Sequence, residues 1–122
     1  METPSSFEEK LNERVLQGMR EAGDDLSVVR PVFFQFVFPS RELAQSFAEE
    51  ILASGLAAKA ENEGGGPAPE LPWDVNVTIE MIPERMTITD YECSLGEKAT
   101  VYNGRADGWY CQRIIGTENV RR

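Results

Sequence analysis

Histidine is missing from the whole chain. Its absence removes the Ser-His-Asp and Cys-His catalytic arrangements, the usual zinc sites and the commonest general base. Cysteine is scarce: Cys93 and Cys111 are the only two. They neither form a redox motif nor cluster for metal binding, so they read as reduced thiols with at least one buried. No run of about 20 apolar residues occurs, which leaves nothing to span a bilayer. The acidic, polar start lacks the basic and apolar regions of a secretion signal, so a cytoplasmic location is expected. Basic residues are also few. Twelve Lys and Arg stand against 21 Asp and Glu, giving a net charge of −9. That charge opposes direct contact with phosphate backbones and predicts no nucleic-acid binding.

What the chain does contain is a core. At 122 residues it is expected to fold without metal or disulfide staples. The organising stretch is Pro31–Phe38. Val32, Phe34, Phe36 and Phe38 form an apolar row at period two, while Phe33, Gln35 and Val37 are still largely apolar. A strand apolar on both faces belongs in the middle of a sheet. Trp73–Met81 alternates more cleanly, with Trp73, Val75, Val77, Ile79 and Met81 against Asp74, Asn76, Thr78 and Glu80. It predicts a strand with one dry and one wet side.

Helices are expected over three segments. Residues 5–22 place Phe7, Leu11, Val15, Met19 and Ala22 on one stripe, with Leu16 flanking it and Gly23 as the stop. Ser40 caps Arg41–Ser54, which gathers Leu43, Ala44, Phe47, Ala48, Ile51 and Leu52, and Gly55 ends it. Thr89-Asp90-Tyr91-Glu92 has the Thr-x-x-Glu spacing of a capping box and opens a third helix, closed by Asn103-Gly104. A weak edge strand is expected near Leu56–Glu61 and a last strand over Gly108–Ile115.

Gly64-Gly65-Gly66-Pro67-Ala68-Pro69 reads as a flexible loop, because no Lys-Ser/Thr helix start follows to make a phosphate cradle. The expected class is therefore α+β: a ferredoxin-like β-α-β-β-α-β sandwich with a four-stranded antiparallel sheet in order 4-1-3-2, plus an extra N-terminal helix. The expected organisation is helix and link over residues 1–28, the sandwich over 29–115 and a loose tail over 116–122.

In that sandwich both helices cover one sheet face. Phe33, Gln35 and Val37 point to the other, beside Tyr110, Gln112, Asn76 and Thr78. Either the N-terminal helix covers this face or it is a surface for binding protein or a second copy. RNA-recognition domains share the topology, but they stack bases on third-strand aromatics. Here the third strand offers Asp74, Asn76, Thr78 and Glu80, which argues against RNA. Asp74, Glu80 and Asp107 are the only carboxylates suggesting a catalytic pair, and solvated acidic faces are far commoner than active sites. Cys111 has no base near it in sequence to make it a nucleophile. No catalytic, cofactor or metal residues are expected, and the chain does not read as an enzyme.

Asp107-Gly108-Trp109-Tyr110-Cys111, following a helix and Asn103-Gly104, resembles the Asp-Gly-Trp signature of the ribonuclease E inhibitor family, called regulator of ribonuclease activity B. The order of elements is similar over about residues 5–113. The resemblance implies a non-catalytic acidic cytoplasmic protein that binds ribonuclease E away from its catalytic centre and lowers RNA processing. The candidate contact residues are Phe33, Val37, Asp74, Glu80 and Tyr110, with Glu42, Glu49 and Glu50 as a further acidic row. Asp107, Gly108 and Trp109 form the signature. Its physical reading is mostly structural: Asp107 bonds a turn, Gly108 lets the strand start bend, and Trp109 fills space under both helices. Partner contact by Asp107 and Trp109 is the other reading, which motif position alone does not separate from packing. The alternative is a dimerising ferredoxin-like binding domain without a nuclease partner.

Overall fold

The strand β1 (Arg30–Phe38) is the axis of the molecule. Val32, Phe34, Phe36 and Phe38 are sealed from solvent on its helix-facing side. A computed structural model describes residues 4–61 and 70–114. Around β1 it places α1 (Pro4–Glu21), α2 (Arg41–Ala53), β2 (Ala57–Glu61), β3 (Trp73–Met81), α3 (Arg85–Val101) and β4 (Arg105–Cys111). The Gly-Pro loop at 64–69, Ile115 and the tail lie outside the described residues.

All pairings are antiparallel and the sheet order is β2-β3-β1-β4. The expected order, with β1 inside and β2 and β4 at the edges, is the observed one. Residues of α2 and α3 pack on one sheet face: Phe47 lies 5.3 Å from Phe36 and 5.0 Å from Phe38 by ring centroids, and Tyr91 lies 5.9 Å from Phe34. Ile51, Ile88, Leu95 and Ala99 complete that core.

Helix boundaries follow local chemistry. Ser40 Oγ accepts from the Leu43 N–H at 3.2 Å, capping α2. Each of the three helices closes with the same crossed pair of backbone bonds. In α2 the Leu56 N–H reaches Ile51 O and the Gly55 N–H reaches Leu52 O; Gly23 and Asn103 hold the equivalent places after α1 and α3. These residues have φ of 96°, 99° and 63°, the left-handed geometry that this closure needs.

Two expected boundaries are corrected. First, α3 begins at Arg85, four residues before Thr89, so Thr89-x-x-Glu92 is no capping box. Thr89 donates to the Arg85 carbonyl from inside the helix. Second, β4 runs Arg105–Cys111, so Gly108 lies within the strand rather than at its start. Gly108 has φ 108° where the β1–β4 register slips between Phe34 and Phe36. One extra residue is accommodated there as a bulge.

The packing of α1 also departs from expectation. Phe7, Leu11 and Val15 are 54%, 38% and 49% exposed, while Leu16 is fully buried and Asn12 is 3% exposed. The helix lies along α3, with Phe7, Leu11 and Val15 of its apolar stripe turned outward and Met19 packed against the core. The reason is polar. Asn12 Nδ2 donates to Thr89 Oγ1 at 3.0 Å and to Glu92 Oε1 at 2.9 Å, and its Oδ1 accepts from Trp109 Nε1 at 2.9 Å. A buried amide that meets three partners fixes the rotation of the helix more firmly than surface apolar residues do.

A second buried polar node ties the chain ends of the sheet together. The Arg30 guanidinium donates to both carboxylate oxygens of Asp24 at 2.9 and 3.0 Å, and to the carbonyls of Gln112 and Asp25. Both side chains are almost wholly enclosed, at 2% and 0% exposure.

Candidate functional site

Because α1 packs against α3, no described element covers the second face of the sheet. Strand register sets what this face presents. One cross-strand row runs Glu61, Asp74, Val37, Arg105; the next runs Lys59, Asn76, Gln35; a third runs Ala57, Thr78, Phe33, Tyr110. The period-two alternation of β3 is what sends Asp74, Asn76 and Thr78 here while Val75 and Val77 enter the core.

Phe33 and Tyr110 stack at 4.8 Å between ring centroids, with 23° between planes. Tyr110 remains 46% exposed, so the pair forms an accessible aromatic platform. Beside it, Gln35, Lys59, Glu61, Asp74, Asn76 and Tyr110 line a cavity of about 290 Å³. Burial, then the charge of Asp107, then that of Glu61 push the Asp74 carboxyl above its ordinary range. Lys59 pairs with Glu61 at 2.9 Å.

The expected contact residues thus divide. Phe33, Asp74 and Tyr110 share one region. Glu80 is on the same face but pairs with Pro31, six residues along β3 from Asp74 and so roughly 20 Å away. Val37 faces this side yet is fully enclosed, which corrects its reading as a contact. Of the further acidic row, Glu42 and Glu49 are exposed, whereas Glu50 already accepts from Tyr102 Oη and pairs with Lys98 at 3.3 Å.

The Asp-Gly-Trp residues have separate duties. Asp107 is exposed and close enough to Asp74 to perturb it. Gly108 makes the bulge. Trp109 sits opposite Phe34 on the core side, half-buried, and its N–H anchors Asn12 of α1. Besides packing against the core, it therefore secures α1. Asn12 was not singled out by sequence, since an Asn inside a helix reads as a solvent-facing residue.

Among the described residues, no group of three or more His, Cys, Asp or Glu is placed to hold a metal ion. Cys93 and Cys111 are both half-buried and unpaired, so neither is fully buried as one was expected to be. Burial chiefly raises the Cys111 thiol pKa, which keeps it protonated and a poor nucleophile. No described helix is long and apolar enough to cross a membrane.

The family model described as regulator of ribonuclease activity B matches residues 9–111. The chain belongs to this family. The match runs from α1 through the end of β4, so it includes both Asn12 and Trp109. As a regulator of ribonuclease activity B, the chain belongs to a class that regulates ribonuclease activity through protein binding. Among curated proteins none matches its sequence.

Proposed function

We propose that the chain is a non-catalytic regulator that binds a ribonuclease E-type nuclease and inhibits RNA processing by masking its scaffold or RNA-holding region. The carrying observation is an uncovered, acidic and aromatic sheet face on a member of this family. Segments that hold RNA are Arg-rich, and an acidic face competes for them by charge complementarity. Phe33 and Tyr110 supply apolar anchorage, Asp74 and Asp107 supply attraction, and Glu80 acts at the periphery. The strand order, with a helix after β1 and another after β3, supports a ferredoxin-like sandwich as the platform.

Calorimetry of the full chain against a purified ribonuclease E-type scaffold tests this reading. Binding is expected at low salt and weakens steeply as ionic strength rises. Tyr110→Ala and Asp74→Lys should reduce binding and inhibition together, whereas Thr78→Ala should leave both near wild type. No heat of binding at low salt sinks the partner assignment.

A further inference from the structure

Three features of the uncovered sheet face converge on one kind of ligand group. The first is shape: the cavity between the β2 edge and Tyr110 has Asn76 and Gln35 from adjacent strands among its lining residues. The second is an orphaned acceptor. Asn76 Oδ1 is enclosed but accepts no hydrogen bond among the described residues. Nearly all enclosed polar atoms in folded proteins are paired, so this oxygen fits an incoming donor. The third is charge. Lys59 partly answers Glu61, but Asp74 and Asp107 take part in none of the described ion pairs, and burial together with the charge of Asp107 makes Asp74 costlier to ionise. Arg105 lies two strands from Asp74, across Val37, at roughly 10 Å.

The chemistry of the occupant follows from the same groups. A bare metal ion wants several carboxylates converging on a point, and the described residues offer no such group. A lysine ammonium is a compact point charge. A guanidinium is flat, carries five donors in a fixed fork, and rests on aromatic faces. We infer that this face seats one arginine side chain of a protein partner, with the guanidinium bridging Asp74 and the Asn76 amide oxygen beside the Phe33–Tyr110 stack. The assignment rests on the protein-binding reading above and names the chemistry at its centre.

The test uses the full ¹⁵N-labelled chain and three short Gly-Ser peptides with Arg, Lys or citrulline at the middle position. The Arg peptide should shift the amides of Asp74, Asn76 and Tyr110 saturably. It should bind at least about fivefold more tightly than the Lys peptide, whose point charge lacks the fork. Citrulline, being uncharged, should produce no saturable shift. Asp74→Asn should weaken the Arg peptide about tenfold, as for loss of a charge-assisted hydrogen bond, with the melting temperature equal to or above that of the wild type. Asn76→Thr should erase the preference for Arg over Lys. Equal binding of Arg and Lys, shifts confined to another surface, no shift at all, or saturation of Asp74 by magnesium chloride alone would each overturn the assignment. Nuclease inhibition is measured alongside. Arg-selective binding without inhibition by the wild-type chain would refute the regulatory reading and leave the site standing. Inhibition that survives Asp74→Asn, with no Arg selectivity, would refute the site and leave the regulatory reading standing.

Discussion

Trp109 Nε1 and Asn12 Oδ1 meet at 2.9 Å although 97 residues separate them in the chain. The bond joins the last strand to the first helix, and through Asn12 it extends to Thr89 and Glu92 of α3.

Removing the hub should therefore cost more than removing one spoke. Asn12→Ala strands buried groups on three partners and is expected to destabilise by about 2–4 kcal/mol. Trp109→Phe keeps most of the ring but drops the N–H, for about 1–2 kcal/mol. A urea-melt double-mutant cycle should give a coupling of about 1 kcal/mol between the two sites. Strict additivity would mean that the bond does not contribute.

The same network sets a pH dependence. Burial, partly opposed by the Asn12 hydrogen bond and reinforced by the charge of Glu8, raises the Glu92 pKa above the ordinary glutamate range. The folded state then binds a proton more readily than the unfolded chain. The Glu92 contribution to stability is therefore largest below the unfolded pKa and falls as pH rises through the folded value. Glu92→Gln keeps an acceptor for Asn12 without the charge. It should match or exceed wild-type stability at neutral pH, and the difference should shrink toward zero in acid. A growing advantage for Glu92→Gln as pH falls would contradict this account.

Arg30 and Asp24 make a second test. Arg30→Ala leaves the Asp24 carboxylate enclosed without its partner and should cost about 3–5 kcal/mol. The double variant Arg30→Met/Asp24→Leu removes both charges and should recover part of that loss in thermal melts. Equal loss in the single and double variants would show that the carbonyl contacts of Arg30, not its ion pair, matter most.

Gly104 and Gly96 should respond oppositely to a single methyl group. A Cβ at Gly104 would come within 2.3 Å of the Phe38 ring and 2.8 Å of the Val37 carbonyl. Gly104→Ala should cost about 1–3 kcal/mol through overpacking. A Cβ at Gly96 meets nothing within 4 Å, so Gly96→Ala should gain about 0.5–1 kcal/mol from helix propensity. Denaturant midpoints moving in the same direction for both would refute the packing argument.

The central sheet was legible because its strands obey a simple period. The alternation of Trp73–Met81 gave β3 its boundaries and separated its two faces, and the doubly apolar Pro31–Phe38 placed β1 inside. What failed had polar causes. The orientation of α1 is set by Asn12, whose three partners lie on distant segments, so the more conspicuous Phe7, Leu11 and Val15 misled. In α3, Thr89 and Glu92 occupy buried positions that an apolar stripe would normally fill, and their spacing mimicked a cap. In β4 the bulge breaks the alternation, concealing the strand's start at Arg105. Of the candidate site, Phe33, Tyr110 and Asp74 were readable from their faces, but the enclosure of Val37 and the orphaned Asn76 oxygen depend on neighbouring strands.

The bulge at Gly108 has a bearing on how the molecule behaves in a crowded solution. β4 is an outer strand, and a straight outer strand offers a template on which another chain can add and seed aggregation. The φ of 108° at Gly108 interrupts that template midway, leaving only short regular stretches on either side. The opposite border, β2, is five residues long and carries Lys59 at its centre, a charged block against the same event. The uncovered sheet face is thus framed by two borders that each resist the addition of a further strand.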